Sequence, residues 1–201
     1  TCIRCNLEQA DAETIAKSLT SQGVTIERLP GFEDVWYISN YDYLEALDAF
    51  NQGLIQVQDI SSSLVCRAAG PKEGDFVLDV CAAPGGKSLH MADLLKETGM
   101  VEARDLTYQK VALIEENIRR TGASNIRTKV WDALEEDVSM KEQADIVLAD
   151  LPCSGLGIIG RKPDIKYRMT KESCGELAKL QREILSVVWN YVKPGGTLVF
   201  S

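Results

Sequence analysis

The sequence predicts an α/β fold, in which a Rossmann-like parallel sheet carries helices on both faces and follows a small α+β module. From Phe76 onward, short apolar runs alternate with segments whose apolar residues recur at helical spacing. The first apolar run leads into a glycine-rich turn, and the last helical stripe is followed by Pro194-Gly195-Gly196. Repeated strand–helix units of this length are typical of a parallel sheet covered by helices.

The individual elements of this sheet follow from residue type and spacing. Apolar runs bounded by turn residues predict five strands, over residues 76–81, 100–104, 126–131, 144–149 and 197–200. Helical periodicity predicts three helices, over residues 87–97, around Val111, Ile114 and Ile118, and over 177–191. Gly122 ends the second helix, and Pro194-Gly195-Gly196 closes the third before the last strand.

Residues 1–70 follow a different pattern, which predicts a small α+β module. Strands are expected over 3–7, 24–29, 36–38 and 54–58, and helices over 11–22 and 43–50. The join near Gly70-Pro71 divides the chain into a module of residues 1–70 and a main domain of residues 71–201. The chain starts at Thr1 and stops inside an apolar run at Ser201, so we expect a piece of a longer protein.

Composition excludes several classes of protein. Of 201 residues, 45% are hydrophobic and 26% charged, as in ordinary globular domains. No apolar run reaches the ~18 residues of a transmembrane helix, and the given sequence shows no signal-peptide pattern, so we expect a cytoplasmic protein without a membrane partner. The formal net charge of -8 argues against broad affinity for nucleic acids. The six scattered cysteines and one histidine predict free thiols and no metal site; Cys2, Cys5, Cys66 and Cys174 are expected to be packing residues.

The turn after the first strand of the main domain is the most informative segment. It reads Cys81-Ala82-Ala83-Pro84-Gly85-Gly86-Lys87, between a strand and a helix. Glycines in such a turn let the backbone approach a ligand, and the helix N-terminus offers amides to it. A phosphate-binding Walker loop needs a glycine where Cys81 stands, and the dinucleotide fingerprint is also missing. These two alternatives are therefore weaker than a site for another cofactor.

Acidic residues follow the next three strands of the main domain. Asp105, Asp132 and Asp150 end the second, third and fourth strands, at the edge of the sheet where ligands bind. Asp105 is placed to accept hydrogen bonds from ribose hydroxyls, and Asp132 to receive an adenine amino group or to cap the next turn. Each aspartate alone is more often a cap than a ligand contact. Together they suit the cationic sulfonium and amino groups of S-adenosylmethionine.

A second motif gives the chain a family resemblance. Asp150-Leu151-Pro152-Cys153-Ser154 is followed by Arg161-Lys162-Pro163-Asp164. With the Cys81 to Lys87 turn, these motifs resemble those of the Sun/Fmu family of S-adenosylmethionine-dependent RNA cytosine-5 methyltransferases, especially the type that acts on bacterial 16S ribosomal RNA. The resemblance implies a Rossmann-like methyltransferase sheet in residues 71–201, and in residues 1–70 the small module that precedes it, a candidate for RNA binding.

The resemblance also implies a covalent mechanism. Carbon 5 of cytosine is a poor nucleophile by itself. A thiolate added to carbon 6 makes carbon 5 nucleophilic enough to attack a methyl group. In the family the attacking thiol belongs to a Thr-Cys motif on the strand after the long helix, which is expected just after Ser201. The Pro-Cys thiol, here Cys153, assists product release. As given, the chain is expected to bind the cofactor but to be impaired in turnover. Cys153 as the attacker is an alternative, as in DNA cytosine-5 methyltransferases.

Further roles are predicted for charged residues around the two motifs. Asp150 is expected to hold ring nitrogen 3 and the exocyclic amine of the base, and Lys87 to contact Asp150 or the cofactor carboxylate. Lys110 is expected near the adenosine. Five basic residues and one acid lie between 161 and 171, a stripe that could meet RNA phosphates or be only solvated surface. The predicted RNA-binding residues are Arg161, Lys162, Asp164, Lys166 and Arg168.

The sequence therefore predicts a monomeric enzyme that methylates carbon 5 of a cytosine in RNA, with 16S ribosomal RNA as the first candidate substrate. Transfer RNA is an alternative substrate. An inactive scaffold that binds S-adenosylmethionine and RNA is a rival from another class, favoured if no cysteine follows Ser201. A nucleotide hydrolase is a further rival, favoured if ATP binds better than S-adenosylmethionine.

Overall fold

The computed structural model describes residues 1–96, 98–158, 160, 164, 167 and 169–201. The described residues form two sheets, one antiparallel and one parallel. The antiparallel sheet has the strand order β2-β3-β1-β4, with β1 Cys2–Cys5, β2 Thr25–Arg28, β3 Val35–Ser39 and β4 Ile55–Val57.

Two helices accompany the antiparallel sheet, α1 (Ala12–Ser21) and α2 (Asp48–Asn51). Asp11 caps α1 by accepting a hydrogen bond from the backbone N–H of Thr14. Ile15 and Leu19 of α1 pack against Trp36 of β3, and all three side chains are buried. Burial of this apolar face against the sheet stabilises the module. The helix expected over 43–50 is instead a 3₁₀ turn at Leu44–Ala46 followed by α2.

The parallel sheet contains the five predicted strands in the order β7-β6-β5-β8-β9. Its strands are β5 Phe76–Asp79, β6 Met100–Asp105, β7 Ile126–Val130, β8 Ala144–Ala149 and β9 Val192–Phe200. The chain moves outward from β5 to β7 and then returns to the other side of β5 with β8. This reversal opens a crevice at the carboxyl ends of β5 and β8, where ligands bind in such sheets.

Helices cover both faces of the parallel sheet. The main-domain helices are α4 (Gly86–Leu94), α5 (Tyr108–Thr121) and α6 (Lys171–Val188). Val77 of β5 packs with Met91 of α4 on one face, while Leu78 packs with Ile184 of α6 on the other. Neighbouring residues of a strand point to opposite faces, which explains why the strand is apolar throughout. The predicted helix end at Glu97 lies outside the described residues.

A helix that the sequence did not reveal joins the two sheets. Helix α3 (Ile60–Ala69) has Cys66 and Ala69 buried in the core that also holds Val77 and Met91. Its weak periodicity hid it, because three consecutive serines, Ser61, Ser62 and Ser63, interrupt the apolar face. The helix therefore packs with the parallel sheet although it precedes Gly70. The division of the chain at residue 70 stays a prediction.

The end of the main sheet differs from the sequence expectation. Helix α6 begins at Lys171 and ends at Val188, and β9 already begins at Val192. Pro194-Gly195-Gly196 lies inside β9 as an irregularity, since Ala144 pairs with Val192 and Ile146 with Thr197. Cys174 is exposed on α6, so its assignment to the packed interior was wrong; Cys2, Cys5 and Cys66 are buried as expected.

Candidate active site

The glycine-rich turn lies at the carboxyl end of β5, and hydrogen bonds to the neighbouring strand β6 hold it in place. The N–H of Ala82 donates to the carbonyl of Arg104 over 2.8 Å. The N–H of Ala83 donates to Oδ2 of Asp105 over 3.0 Å. The N–H of Gly85 returns to the carbonyl of Ala82 over 2.6 Å and closes the turn. The turn is thus a fixed element of the sheet edge.

Gly85 meets two constraints that only glycine satisfies easily. Its φ is +104°, in the region that L side chains rarely adopt. A Cβ atom at Gly85 would lie 3.1 Å from Cγ2 of Ile114 on α5. Gly85 also occupies the N-cap position of α4, so the cap residue has no side chain that could cover the first-turn amides. These amides are placed for an acceptor group of a ligand.

A cavity of about 240 Å³ lies between this turn and the strand β4 of the antiparallel sheet. Its wall includes the glycine-rich turn, Asp79, Lys87 and Asp150 from the main domain, and Gln58 and Ser62 from residues before it. Asp79 is 1% exposed, and its Oδ2 accepts from the hydroxyl of Ser88 over 2.6 Å. Among the described residues, Oδ1 of Asp79 has no hydrogen-bond partner. A buried, unpaired carboxylate oxygen on a cavity wall suits a cationic ligand group.

Burial controls the protonation of Asp79. Loss of hydration raises the pKa of this carboxyl from 3.8 to about 7. The hydrogen bond from Ser88 opposes this rise, Asp150 adds to it, and the ammonium of Lys87 opposes it. A positive charge brought into the cavity would favour the ionised form.

Lys87 and Asp150 connect the two sequence motifs. Nζ of Lys87 donates to Oδ2 of Asp150 over 2.5 Å, as the sequence predicted for this pair. The hydroxyl of Ser201 donates to Oδ1 of Asp150 over 2.8 Å. Asp150 is therefore held by α4 on one side and by the end of β9 on the other. The catalytic roles of Lys87 and Asp150 stay predictions.

The two motif cysteines have different environments. Cys153 is exposed, three residues beyond Asp150. The side chain of Gln181 on α6 donates to the carbonyl of Pro152 over 2.8 Å and holds the segment before Cys153. Cys81 is half-buried, and burial together with the carboxylates of Asp79 and Asp105 raises the pKa of its thiol to about 12. Cys81 is thus a neutral thiol at neutral pH, whereas Cys153 is open to a substrate.

Asp105 and Lys110 lie together, as expected for a site at the end of β6. Nζ of Lys110 is 3.0 Å from Oδ1 of Asp105, and the same oxygen accepts from the N–H of Leu106 over 2.8 Å. The carboxyl of Asp105 is buried, while half of the Lys110 side chain is exposed. Asp105 thus orders the turn through Ala83 and faces the next cavity; its ligand contact stays a prediction.

That next cavity is a small apolar cleft of about 130 Å³. Its walls come from Trp131, Leu134, Pro152, Leu180 and Ile184, with Asp105 and Asp132 at its polar side. Lys129 lies 4.1 Å from the ring centre of Trp131, which orients the indole. Oδ1 of Asp132 accepts from the N–H of Leu134 over 2.9 Å, so Asp132 caps the following turn, one of its two predicted roles.

The described residues fit the predicted cofactor, S-adenosylmethionine. The unpaired Oδ1 of Asp79 suits a cationic end, the ammonium of Lys87 suits a carboxylate, and the apolar cleft suits a flat ring system. Cys81 lines both cavities, so the two adjoin at this residue. Sequence reasoning missed Asp79 and Gln58. The position of Asp79 at a strand end, next to the glycine-rich turn, was the available signal.

The predicted RNA-binding segment is described only in part. Arg161, Lys162, Lys166 and Arg168 lie outside the described residues. Asp164 is exposed, and its carbonyl accepts from the N–H of Tyr167 over 3.0 Å. The described residues contain no group of three His, Cys, Asp or Glu side chains that could hold a metal ion. No helix in the described part of the chain is long and apolar enough to cross a membrane.

Comparisons with known proteins support the family that the motifs resemble. A family model described as "16S rRNA methyltransferase RsmB/F" matches residues 67–201. The "Probable ribosomal RNA small subunit methyltransferase B" of Bacillus subtilis is 40% identical over 200 residues, covering 99% of this chain and 44% of that protein. The "Ribosomal RNA small subunit methyltransferase B" of Klebsiella pneumoniae is 36% identical over 172 residues, covering 86% and 40%. The chain therefore spans less than half the length of these relatives.

Solved structures share the whole fold. The crystal structure of PH0851 has a TM-score of 0.93 at 33% identity, over 98% of this chain and 45% of the other. NSun6 from Pyrococcus horikoshii, solved with SFG, has a TM-score of 0.90 at 22% identity, over 99% and 74%, which supports the fold alone. Together with the family match, the likeness to PH0851 confirms the predicted Rossmann-like methyltransferase sheet.

Proposed function

Because the chain belongs to the 16S rRNA methyltransferase RsmB/F family, we propose that its protein methylates carbon 5 of a cytosine in 16S ribosomal RNA through a covalent cysteine adduct. The family resemblance inferred from the motifs and the dependence of the family on S-adenosylmethionine are confirmed. The base specificity, the adduct and the RNA substrate are the content of the proposal. A ribosomal substrate would also assign the protein to the cytoplasm.

The ion pair between Lys87 and Asp150 is the observation that supports the proposal most strongly. The Lys87–Asp150 ion pair joins the glycine-rich turn to the segment that presents the exposed Cys153. The proposed cofactor site and an exposed thiol therefore lie at one edge of the sheet. Covalent activation of a pyrimidine needs both within reach of the same base.

Residues of both cavities would hold the cofactor. Asp79 and Asp105 supply carboxylates, Lys87 an ammonium, and the Trp131 cleft an apolar surface. When bound, S-adenosylmethionine supplies a methyl group on a positively charged sulfur. The carboxylates attract this charge.

The chain contributes to the base chemistry through Asp150 and a thiol. A thiolate forms a bond to carbon 6 of cytosine, and the electron pair of the C5=C6 double bond makes carbon 5 nucleophilic. Once carbon 5 carries the methyl group, a water molecule takes its proton, the C–H electron pair re-forms the double bond, and the thiolate is expelled from carbon 6. Asp150 is proposed to hold ring nitrogen 3 and the exocyclic amine of the base through hydrogen bonds as charge builds up on the ring. Its two oxygens are already oriented by Lys87 and Ser201. This orientation supports Asp150 as the group that positions the base.

The attacking thiol is proposed to follow Ser201, with Cys153 assisting product release. The N–H of Ser201 donates to the carbonyl of Ala149 over 3.2 Å, so β9 reaches the end of β8 in register. The residue after Ser201 would then start next to Asp150 and Cys153. A cysteine there would share the target base with Cys153, as the family resemblance implies.

The RNA contacts of the proposal come from two regions. The basic segment with Arg161, Lys162, Lys166 and Arg168 is proposed to meet phosphates, with Asp164 ordering it. The module of residues 1–70 is proposed as the second RNA-binding surface. Phosphate contacts by lysine and arginine make binding weaken steeply with salt.

Bisulfite sequencing tests the substrate assignment. In cells that lack the gene, one cytosine of 16S ribosomal RNA should lose its protection, and the full-length protein should restore it. Transfer RNA from the same cells provides the alternative substrate. If protection of 16S ribosomal RNA is unchanged but a protected cytosine is lost from transfer RNA, transfer RNA is the substrate. If neither RNA changes, the scaffold that binds the cofactor without methylating RNA is favoured.

A further inference from the structure

Two chains of hydrogen bonds run from the antiparallel sheet to the glycine-rich turn. The first begins at β4, where the guanidinium of Arg120 on α5 contacts the side chain of Gln56 and donates to the carbonyl of Ile55 over 3.1 Å. The same guanidinium donates to Oδ1 of Asn117 over 3.1 Å. Nδ2 of Asn117 then donates to the carbonyl of Pro84 over 3.0 Å. The first chain thus ends on the residue before Gly85.

The second chain reaches the residue after Gly85. Nε of Arg4 on β1 donates to Oε1 of Gln58 over 2.8 Å, and Nε2 of Gln58 donates to the carbonyl of Gly86 over 3.3 Å. The guanidinium of Arg4 also forms an ion pair with Asp93 of α4. Arg4 and Gln58 are both buried, at 3% and 5% exposure. Their hydrogen bonds are therefore shielded from water and stronger than surface contacts.

The two chains share one design. In each, an arginine fixes the oxygen of a side-chain amide, and the nitrogen of that amide points at a backbone carbonyl of the turn. The two carbonyls flank Gly85, whose positive φ sets the shape of the turn. Gln56 of β4 and Gln58, which follows β4 directly, also line the 240 Å³ cavity. The antiparallel sheet is thereby part of the wall that defines the site.

The geometry points to Gln58 and Asn117 as positioning residues that hold the glycine-rich turn in its binding shape. The inference rests on the proposed function, since it takes the turn to be the cofactor site. It adds that residues before the methyltransferase sheet set the affinity for the cofactor. Each lost amide hydrogen bond should weaken binding about two- to tenfold, because a net hydrogen bond is worth roughly 0.5–1.5 kcal/mol.

Isosteric acids test this with little disturbance of the fold. The substitutions Gln58→Glu and Asn117→Asp keep the oxygen that accepts from arginine and remove the nitrogen that donates to the turn. Gln22→Glu is the matched control. Gln22 accepts from the N–H of Asp48 over 2.8 Å and donates to the carbonyl of Ala46 over 3.0 Å, away from the turn. The control makes the same chemical change without touching the site.

The readout is the Kd of the full-length protein for S-adenosylmethionine and for S-adenosylhomocysteine, measured by calorimetry. The first ligand carries a positive sulfur and the second a neutral one. Loss of positioning should weaken both by the same factor in Gln58→Glu and Asn117→Asp, with Gln22→Glu unchanged. A pure effect of the added negative charge would instead strengthen the first ligand relative to the second.

Several results would overturn the inference. Unchanged Kd values in both variants would show that the turn keeps its shape without the two amides. A change for S-adenosylmethionine alone would show a charge effect. A wild-type protein that binds neither ligand would instead contradict the proposed function. The Asn117→Asp variant, on a half-buried helix face, carries the test if Gln58→Glu does not fold. Hydrogen exchange at the amides of 81–87 gives a second measurement, expected to quicken in both variants.

Discussion

Nζ of Lys87 lies 2.5 Å from Oδ2 of Asp150, across 63 positions of the sequence. Lys87 belongs to the first turn of α4, after the glycine-rich segment, and Asp150 to the end of β8. The lysine side chain is 14% exposed and the aspartate 41%, so the pair lies at the rim of the cavity. It links the cofactor side of the site to the side that presents Cys153.

Replacing Lys87 should break the link between the cofactor side of the site and the side that presents Cys153. We expect Lys87→Met to weaken binding of S-adenosylmethionine about tenfold or more, since a hydrogen bond to a charged group contributes roughly 1.5–3 kcal/mol. Calorimetry on the full-length protein measures it. Lys193→Met is the control, because Lys193 pairs with Asp145 over 2.8 Å at the opposite end of the strands. Equal losses in the two variants would mean that Lys87 only stabilises the fold.

The role of Cys153 is tested by trapping. If Cys153 assists product release, Cys153→Ala should accumulate a covalent protein–RNA complex, seen as a retarded band on a denaturing gel. Cys174→Ala, which removes another exposed thiol, should behave as wild type. A Cys153→Ala protein that forms no complex and transfers no methyl group would identify Cys153 as the attacking thiol.

Asp79 should make stability fall as pH rises. Its pKa is about 7 in the folded chain and ordinarily 3.8, so the folded state holds the proton longer. The stabilisation that comes from the proton on Asp79 is fully present below about pH 4 and is lost as the pH rises to about 7. Relative to wild type, Asp79→Asn should therefore gain roughly 2–3 kcal/mol more in unfolding free energy at pH 8 than at pH 5, at about 1.4 kcal/mol per unit. Urea unfolding at both pH values checks this, and an equal gain at both would contradict it.

His90 should act in the opposite direction. It is 1% exposed on α4, and burial lowers its pKa from 6.5 to about 2, with Arg4 and Arg67 adding to the effect. Below pH 6.5 the imidazole of His90 binds a proton in the unfolded chain, whereas in the folded chain it stays neutral down to a much lower pH. Stability should fall by about 1.4 kcal/mol per pH unit between pH 6 and pH 4, and His90→Gln should remove this component. Parallel pH profiles for the two proteins would count against it.

Gly85 should tolerate no side chain. Gly85→Ala would place a methyl group 3.1 Å from Cγ2 of Ile114 at a φ of +104°. We expect a loss of roughly 1–3 kcal/mol in stability and a weaker cofactor Kd. Gly31→Ala is the control, because Gly31 also has a positive φ of +84° but nothing within 4 Å of its added Cβ. Similar losses of stability in the two variants would show that backbone strain alone, and not the contact with Ile114, explains the effect at Gly85.

Much of the main sheet could be predicted, because each strand is a short apolar run and each strand end carries a polar residue. The contact between Lys87 and Asp150, one of the two expected for this lysine, forms because both residues follow strands that meet at one edge. Helix α3 was missed, since its serines hide the face that packs on the sheet. Strand β9 starts earlier than predicted because pairing with β8 overrides the Pro194-Gly195-Gly196 turn signal.

The site was predicted less completely than the fold. Asp79 ends the strand before the glycine-rich turn, which was its only signal in the sequence, and tertiary burial is what leaves its Oδ1 unpaired among the described residues. Gln58 and Asn117 are ordinary polar residues in sequence, and their role depends on two arginines from other elements. Such contacts between distant segments have no local pattern. They emerge only when the two sheets are packed together.

A crystal structure of the full-length protein with S-adenosylmethionine would show which cavity binds the cofactor. We expect the ligand in the cavities that share Cys81, within hydrogen-bond distance of Asp79 or Asp105 and against Trp131. The main competitor is a cavity of about 550 Å³ between the antiparallel sheet and α4, lined by Arg67 and His90. A ligand bound there, with the glycine-rich turn empty, would contradict the account.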